Sequence, residues 1–578
     1  MPGGLLNLVA TGNQNVLIHG NPTKTFFKST YAKHTNFGMQ KFRIDYEGQR
    51  PLQLNSPTEL VFKVPRYADL LMDIYLVVDL PDIWSPVLTP DSKSTSWRPY
   101  EFKWIKNIGT NLIKQVRFTI GGHVIQSYTG SFLQNIVERD FDETKKQLFD
   151  IMTGNIDELN DPAKFFNGKY PNAFKLNENK PSTEILPSIR GRRLYIPINI
   201  WFTLMAKMAF PLISLQYNEL HIEFELRPIT DLFVVRDIDN INKYDFNQTD
   251  YITTNLNNVR NDSKFQLYRF LQKPPSGQLS GNSNQDDKYE RTVNNWNSNV
   301  HILANYCFLD NDEVRVFTAK PQQYLIKEFR EYNFYELLGS NNVEIETNGL
   351  VSNFMFFFQR NDINFRNEWS NYSNWPYKDK MPNKPERITS QISDISLNGV
   401  QLSGSIDISN SFYDPSMSYL MYFTKNYDMS QNISVDYYIK NQKNILNQFA
   451  IIFDGKYREN LLDQGVYNYV DYYARSSGKG KDGLYFYNFG LNTNPYSNQP
   501  SGAVNLARFN KVEFETNIIQ TPLNPIAQVI QVCDENGNII GVEKTANNLH
   551  NYTFNLTVQE ERYNMLVFTN GNAQLMFK

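Results

Sequence analysis

The sequence has only two cysteines, Cys307 and Cys533, among its 578 residues. Two cysteines are too few for a disulfide-dense scaffold or for a cysteine zinc cluster. Both lie in apolar stretches, as small hydrophobic residues often do. This usage is typical of proteins from a reducing compartment, where a single Cys307–Cys533 bridge would be an uncommon alternative.

The sequence lacks a large excess of either charge. It has 57 Lys and Arg residues and 60 Asp and Glu residues, which give a net charge of −3. A chain that coats nucleic acid usually carries a clear basic excess, since phosphate neutralisation supplies most of that affinity. We therefore expect no direct nucleic acid binding.

Long hydrophobic runs are also missing. The longest apolar stretches, such as Leu70–Leu80 and Phe354–Phe358, are far shorter than the ~20 residues that a membrane-spanning helix needs. The first residues, Met1–Val9, lack a basic start, and Gly and Asn interrupt their apolar part, which does not fit a secretory signal. We predict that residues 1–24 form an arm that precedes the first folded domain.

Motifs that carry chemistry are scarce. The six histidines are His19, His34, His123, His221, His301 and His550, and no H-x-H, H-E-x-x-H or C-x-x-C motif occurs. Gly478–Gly483 satisfies G-x-G-x-x-G, but it precedes a strand, whereas the nucleotide fingerprint follows a strand and opens a helix. We predict a flexible loop there, no catalytic, cofactor-binding or metal-binding residues, and no cofactor.

Strand signals are what the sequence does have, together with 35 Tyr and 40 Phe residues that fit half-buried sheet surfaces. Glu219–Leu226 alternates polar and apolar residues, which only a strand places on opposite faces. Val116–Ile120 and His123–Ile125 flank Gly121 and Gly122, a pattern that predicts a tight hairpin.

The second half of the sequence repeats landmarks of the first half in the same order. The pairs are Gly121-Gly122 with Asn398-Gly399, Leu194–Asn199 with Leu484–Phe489, Tyr217–Ile222 with Phe509–Phe514, and Tyr306–Leu309 with Met565–Phe568. Four matches with drifting offsets predict a duplicated all-β domain of the sandwich or barrel class. Chance similarity between strands is the alternative.

Two segments mark the organisation of the chain. Asp237 to Asn299 is polar and rich in Asn, which predicts a surface insert that cannot fill a core.

Between the halves, Asp310 can cap a helix that has Glu313 three residues later and is stopped by Pro321. We place a linking helix at about residues 311–320 and the junction between the halves there.

A further set of segments, spread from residue 3 to about residue 568, is characteristic of a single protein family when the segments are taken together. They are Gly3–Ala10, Gly20–Pro22, Thr25–Lys28, Tyr31, His34–Phe37, Phe210–Leu220, Phe308–Asp310 with Glu313, Tyr324–Ile326, Gln499–Gly502 and Arg562–Leu566. In this order they resemble the major capsid proteins of nucleocytoplasmic large DNA viruses.

The resemblance implies an all-β fold of two tandem eight-stranded jelly-roll sandwiches, a double jelly roll, with a short linking helix and long surface loops. The domains would be an arm at 1–24, a first jelly roll at 25–312 with the insert at about 237–299, and a second at 313–578. The resemblance implies a structural protein, not an enzyme, whose homotrimers form pseudo-hexagonal capsomers that tile an icosahedral virus shell. It further implies assembly in host cytoplasm and location in the virion.

The partners implied by the resemblance are neighbouring copies of the same chain and minor capsid and penton proteins. An internal virion membrane and host surface glycans are further candidates.

Two other functions stay open at this point. Glu219, His221, Glu223 and Glu225 share one strand face, and carboxylates two residues apart lie ~6.6 Å apart along a strand, a spacing that glycosidases use. Trp369, Trp375 and Tyr377 look exposed and would suit a carbohydrate-binding module.

Six sequons of the N-x-[ST] type begin at Asn247, Asn261, Asn371, Asn432, Asn551 and Asn555. They matter only if the chain enters a glycosylating compartment, and we expect no standard modification.

Overall fold

The structure is a computed structural model. It describes residues 2–48, 50–88, 98–171, 174–177, 180–236, 251–252, 263–274, 289–378, 392–397, 400–404, 406–414, 419–424, 433–436, 442–497, 499–523, 530–533, 539–543 and 549–577. Within these ranges, no helix is long and apolar enough to cross a membrane.

The first half of the chain forms two facing four-stranded antiparallel sheets. Their strands are β1 (Phe37–Ile44), β2 (Thr58–Lys63), β3 (Leu70–Leu80), β4 (Ile113–Ile120), β5 (His123–Thr129), β6 (Arg192–Pro197), β7 (Leu220–Leu226) and β8 (His301–Leu309). One sheet has the order β1-β8-β3-β6, and the other has the order β2-β7-β4-β5.

The second half forms the same arrangement. Its strands are β9 (Gln322–Leu337), β10 (Ser340–Glu344), β11 (Leu350–Arg360), β12 (Leu446–Phe453), β13 (Lys456–Asp463), β14 (Leu484–Asn488), β15 (Val512–Ile518) and β16 (Phe554–Thr569). The sheet orders are β9-β16-β11-β14 and β10-β15-β12-β13.

The two halves therefore have one topology, because adding eight to each strand number of the first half gives the order of the second. In each sheet pair the last strand returns to lie beside the first, which is the jelly-roll arrangement of two packed sheets. The equivalent strands β7 and β15 even share one alternation of buried and half-buried residues. The predicted all-β double jelly roll is confirmed.

One landmark of the predicted duplication is wrong. Gly121 and Gly122 form the turn between β4 and β5, whereas the strands on either side of Gly399, Ile392–Leu397 and Val400–Gly404, pair within the connection between β11 and β12. Residues 398 and 399 lie outside the described residues. The true counterpart of the glycine turn is Asp454-Gly455, where both residues also have positive φ. The other three landmarks fall on equivalent strands.

Helices connect and flank the sandwiches. They are α1 (Gly3–Val9), α2 (Val16–His19), α3 (Ile108–Leu112), α4 (Gly130–Asp140), α5 (Glu143–Thr153), α6 (Asp157–Asn160), α7 (Pro162–Phe165), α8 (Asn311–Ala319) and α9 (Asp471–Arg475). The predicted linking helix is α8, and the Asp310 side chain caps it by accepting a hydrogen bond from the Asn311 amide at 2.9 Å.

Further short strands lie between or after the sandwich strands. They are Val87–Leu88, Arg98–Pro99, Phe102–Trp104, Phe174–Asn177, Lys180–Ile185, Phe210–Pro211, Phe233–Arg236, Tyr251–Ile252, Ile406–Asp414, Tyr419–Thr424, Ile433–Asp436, Val504–Asn505, Ile530–Cys533, Ile539–Glu543 and Asn572–Leu575. Those that extend a sandwich sheet are Phe210–Pro211 beside β3, Val504–Asn505 beside β11 and Asn572–Leu575 beside β16.

The predicted surface insert at 237–299 is partly core, which corrects the expectation drawn from its composition. Phe265, Leu267 and Phe270 are each at most 4% exposed and belong to the core of the first sandwich. The Phe270 ring lies 5.3 Å from the Phe102 ring, and its carbonyl accepts a hydrogen bond from the Trp84 amide. A few apolar residues inside a polar stretch are enough to anchor it. The stretches 237–250, 253–262 and 275–288 lie outside the described residues.

The chain before β1 packs against little of the molecule. Residues 2–36 are almost entirely exposed, including many large apolar side chains. Those that are at least two-thirds exposed are Leu8, Val9, Val16, Leu17, Ile18, Phe26, Phe27 and Tyr31. The exposed stretch thus runs to the start of β1 at Phe37, beyond the residue 24 expected from the sequence.

Candidate functional site

The two sandwiches meet along a seam that is centred on α4 and covered by β9, β11, β14 and β16. Helix α4 begins at a Thr129 cap whose hydroxyl accepts from the Phe132 amide, and it is buried at all but one of its residues. One continuous apolar core crosses the seam, so that Phe132 of the first half lies 3.9 Å, ring to ring, from Phe329 of the second. The two halves are therefore packed as one body.

A buried ion network lies at the C-terminal end of α4. Arg139 is 1% exposed and makes two hydrogen bonds to Asp140, at 2.9 and 2.6 Å. Its Nη1 donates to Glu561 Oε2 at 2.7 Å and to Asn353 Oδ1 at 2.9 Å. Burial opposes the charged form of Glu561, but the Arg139 charge and hydrogen bonds outweigh it and lower the pKa of Glu561 to about 2. Arginine and carboxylates from both halves thus compensate each other.

Polar contacts continue along α4. Asn135 Nδ2 donates to Gln559 Oε1 at 2.9 Å, and Asn135 Oδ1 accepts from the Tyr372 hydroxyl at 3.1 Å. Thr493 donates to Asp140 Oδ1 at 2.6 Å. Every one of these bonds joins the first half to the second, so the seam fixes the relative orientation of the sandwiches as well as burying apolar surface.

The Gly478–Gly483 segment is part of this seam, and the prediction of a flexible loop is wrong. The amides of Gly478 and Gly480 each donate at 2.8 Å to carbonyls at the end of α4, those of Arg139 and Glu138. A Cβ at Gly478 would lie 2.4 Å from the Arg139 carbonyl oxygen. The glycines allow the close approach of two backbones, which is one of their uses in proteins.

Lys481, within the same segment, is buried. Its Nζ lies 3.7 Å from the centre of the Tyr372 ring and has no hydrogen-bond partner among the described residues. Burial lowers the pKa of Lys481 well below its ordinary value.

The aromatic residues Trp369, Trp375 and Tyr377 are half-buried rather than exposed, which corrects the prediction behind the carbohydrate-binding alternative. The indole of Trp369 donates to the Asp231 carbonyl at 2.9 Å, and the Arg227 guanidinium lies 4.2 Å from its ring. Lys443 lies 5.4 Å from the Trp375 ring. Trp369 thus packs against the first half of the chain, and none of the three side chains is fully exposed.

The carboxylates that motivated the enzyme alternative are each paired with a cation on a neighbouring strand. Glu219 lies 2.7 Å from Lys63 of β2, Glu223 lies 3.1 Å from Arg117 of β4, and Glu225 lies 2.6 Å from Lys114 of β4. The hydrogen bond from Lys63 lowers the pKa of Glu219, whereas a general acid needs a raised pKa. His221 shares this half-buried strand face. The face is an ion-paired sheet surface.

The histidines and cysteines are scattered over the described structure. His301 is buried in β8, where burial lowers its pKa, and His550 lies beside Thr521. In the part of the chain that the structure describes, no group of three His, Cys, Asp or Glu residues is arranged to hold a metal ion. Cys307 is a buried free thiol, so the alternative of a bridge to Cys533 is not realised.

Among the sequons, Asn371 is buried, and its side chain bonds Ser373 and the Trp375 carbonyl. Asn551 is exposed and Asn555 is half-buried. Asn247, Asn261 and Asn432 lie outside the described residues.

Sequence reasoning missed the seam network altogether. The signal was available in β16, where Glu560, Glu561 and Arg562 are three consecutive charged residues in a strand pattern, and all three are buried. Charged residues in a strand core need partners from elsewhere, but nothing in the sequence identifies Arg139 as that partner.

Two jelly rolls of one topology, joined through a common core, place the chain in the class of double jelly-roll proteins. Residues 25–310 match the family described as "Major capsid protein N-terminus". The chain is 27% identical over 343 residues to "Capsid protein 1" of Acanthamoeba polyphaga mimivirus, covering 59% of this chain and 46% of that one. It is 26% identical over 352 residues to the major capsid protein of Phaeocystis pouchetii virus, covering 60% and 56%.

Among solved structures, the Faustovirus major capsid protein superposes with a TM-score of 0.58 at 13% identity, covering 94% of this chain and 93% of that one. The chain spans about half the length of the curated relatives it matches. Through the matched residues 25–310, it belongs to the major capsid protein family of the nucleocytoplasmic large DNA viruses.

Proposed function

We propose that the chain is a structural shell subunit, without catalytic activity, that forms homotrimers and builds the capsid of a large DNA virus. The observation that carries the proposal is the pair of jelly rolls with one topology, fixed to each other by the buried seam. Three such chains around a three-fold axis present six similar walls, which approximate a hexagon and tile a flat facet.

A closed ring of three identical chains uses one patch of each chain against a different patch of its neighbour. Obligate contacts of this kind bury more than ~2,000 Å². The near-neutral net charge of −3 keeps long-range repulsion between like subunits small, so apolar burial can hold the trimer together.

The exposed N-terminal stretch fits a role in joining capsomers. Its large apolar side chains, such as Leu17 at 88% and Phe27 at 98% exposure, gain stability only when another surface covers them. Asp and Glu are absent from residues 1–44, so the covering surface meets only cations and neutral groups there.

Within this proposal, residues 1–24 act as an arm, and residues 25–312 and 313–578 act as the two wall-forming units of each subunit. The partners are neighbouring copies of the chain together with minor capsid and penton proteins. An internal virion membrane would lie below the shell and host glycans above it, and assembly would take place in host cytoplasm.

Mass measurement of the purified chain tests the trimer. Native mass spectrometry and negative-stain imaging at micromolar concentration should give three copies and three-fold particles of hexagonal outline. A stable monomer or dimer without three-fold particles would contradict the proposal.

A further inference from the structure

The seam within the chain joins a helix of the first half to a sheet face of the second half. Helix α4, which follows the fifth strand β5, lies on the outer face of the sheet β9-β16-β11-β14. This outer face points away from the other sheet of the same sandwich. Phe354 and Phe356 of β11 point into the core of the second sandwich, whereas Met355 between them belongs to the core that crosses the seam.

The second half has a helical segment at the equivalent place in its topology. Residues 466–475, which end with α9, follow the fifth strand β13 as α4 follows β5. Tyr469, Val470 and Tyr473 on this segment are 57%, 56% and 94% exposed. Side chains three and four positions apart share one face of a helix, so these three residues form an exposed apolar stripe. By contrast, α4 is buried at all but one of its residues.

The first half has the equivalent sheet face, on the outer side of β1-β8-β3-β6. Ile302 and Ala304 of β8 belong to the core, so Leu303 and Asn305 point outward, where both are only half-buried. Met39 of the edge strand β1 lies on the same side, since its sulfur is 4.0 Å from the side-chain nitrogen of Asn305. Met39 is 57% exposed, so this face is accessible in the single chain.

The equivalent edge strand of the second half is covered. Phe329 of β9 is 9% exposed, because Phe132 of α4 and Tyr128 of β5 pack against it at 3.9 and 5.9 Å between ring centres. The seam thus uses the helix of the first half and the sheet face of the second half. The helix of the second half and the sheet face of the first half remain accessible, and they are the two parts of a second contact of the same kind.

Charges of opposite sign border the two accessible surfaces. Lys41 and Arg43 follow Met39 on β1, and residues 1–44 contain no Asp or Glu. Residues 463–475, which include the apolar stripe, contain two Asp and one Arg. Opposite charges across an interface steer association and suppress wrong pairings. The two surfaces are therefore complementary in charge as well as in shape class.

We propose that the stripe of Tyr469, Val470 and Tyr473 on one subunit docks on the outer face of β1 and β8 of the next subunit. The docking follows the plan by which α4 lies on β9 and β16 within the chain. This inference rests on the proposed trimer and names the two surfaces of its interface. A helix meets a sheet, so the contact is heterologous, and repetition around a three-fold axis closes it into a ring. Helix-on-sheet contacts within and between chains then alternate around that ring.

Paired charge substitutions on the two surfaces test the docking. Tyr473→Lys with Met39→Lys places ammonium groups on both surfaces, whereas Tyr473→Asp with Met39→Lys places opposite charges there. Since like charges that face each other across an interface cost several-fold more than opposite charges, we expect the first variant to dissociate at a protein concentration at least about tenfold higher than the second. Native mass spectrometry over a dilution series measures the trimer fraction of both.

Two control variants separate docking from folding. Tyr473→Phe keeps the aromatic ring and should form trimers as the unmodified chain does. Leu148→Lys adds a cation at a side chain of α5 that is 57% exposed and lies outside both surfaces, and it should also leave the trimer unchanged. The melting temperature of every variant reports its folding, and substitutions at exposed positions should change it little.

The outcomes distinguish this inference from the proposed function. Absence of trimers in the unmodified chain would contradict both. If the unmodified chain is trimeric, equal dissociation of the two paired variants, or undiminished trimers in the variant with two lysines, would overturn the docking surfaces and leave the trimer standing.

Cross-linking decides the question if the variant with two lysines unfolds. Tyr473→Cys with Met39→Cys, treated with a short bifunctional maleimide, should give covalently linked dimers and trimers on a denaturing gel. Each single cysteine variant, and the unmodified chain with Cys307 and Cys533, measures the background. Linked products no more abundant than this background would overturn the proposal.

Discussion

At the scale of single residues, the guanidinium of Arg139 makes most of the polar contacts of the seam. It donates hydrogen bonds to Asp140, Asn353 and Glu561. Arg139→Met removes one member of a buried ion network and leaves Glu561 and Asp140 uncompensated, which should reduce the free energy of unfolding by about 3–5 kcal/mol. The matched control is Arg193→Met, since Arg193 pairs with Asp79 on the surface and exposed pairs contribute only about 0–1 kcal/mol. Urea unfolding measures both, and equal effects would contradict the assignment.

The carboxylate of Glu561 gives the seam a dependence on pH. Its pKa in the folded chain, about 2, lies below the ~4.3 of an unfolded Glu. A lowered pKa contributes stability that is complete above about pH 4.3 and is lost as the pH falls towards 2. The stability difference between the unmodified chain and Glu561→Gln should therefore shrink below pH 4.3. A stability difference that stays constant from pH 6 to pH 3 would show that Arg139 does not lower the pKa of Glu561.

Single residues also mark where prediction from the sequence ends. The strand alternation of Glu219–Leu226 correctly gave the half-buried face, because alternation is a local property of the chain. Arg139 and Glu561 are 422 residues apart in sequence, and local pattern does not report contacts over that distance. Trp369 was expected to be exposed because an aromatic residue in a loop gives no sign of the surface that covers it.

At the scale of elements, the Gly478–Gly483 segment should tolerate substitution poorly. Gly478→Ala forces a methyl group against the Arg139 carbonyl, and overpacking of this kind typically costs about 1–3 kcal/mol. Gly38→Ala is the matched control, because a Cβ there meets nothing within 4 Å and the backbone needs no positive φ. Chemical denaturation compares the two, and a neutral Gly478→Ala would mean that the loop is not held against α4.

The exposed N-terminal arm should matter for assembly and not for folding. The double substitution Leu6→Asp and Leu8→Asp replaces two apolar side chains of α1 by carboxylates. It should leave the capsomer mass and the melting temperature unchanged, and it should reduce shell assembly. Asn7→Asp adds a negative charge to the same helix without removing an apolar group and serves as control. Light scattering of assembling capsomers measures the effect. Loss of the folded capsomer would place the arm in the core.

Elements were predicted correctly where one local rule decides them, as in the Asp310 cap of α8 and the hairpin at Gly121 and Gly122. They were mispredicted where a distant surface decides. The glycines of 478–483 resemble a flexible loop because a sequence does not distinguish freedom from close approach. Phe265 and Phe270 lie in a polar stretch, and the composition of that stretch concealed their burial.

At the scale of the whole molecule, the continuous core predicts that the two sandwiches unfold together. Thermal unfolding of the full chain should show one transition, with calorimetric and van't Hoff enthalpies in agreement. Residues 1–312 expressed alone should aggregate, since they expose Tyr128, Phe132 and the buried charge of Arg139. Two resolved transitions, or a soluble monomeric first half, would contradict the common core.

The position of β16 has a consequence for how the chain is made. This strand is the last of the sixteen to leave the ribosome, yet it lies between β9 and β11 and carries the partner of Arg139. Until it emerges, the nascent chain presents an open sheet, an uncovered helix and a guanidinium without its Glu561 partner, and exposed surface of this kind attracts chaperones and promotes aggregation. Translation speed over the last part of the message would then influence how many subunits reach the shell.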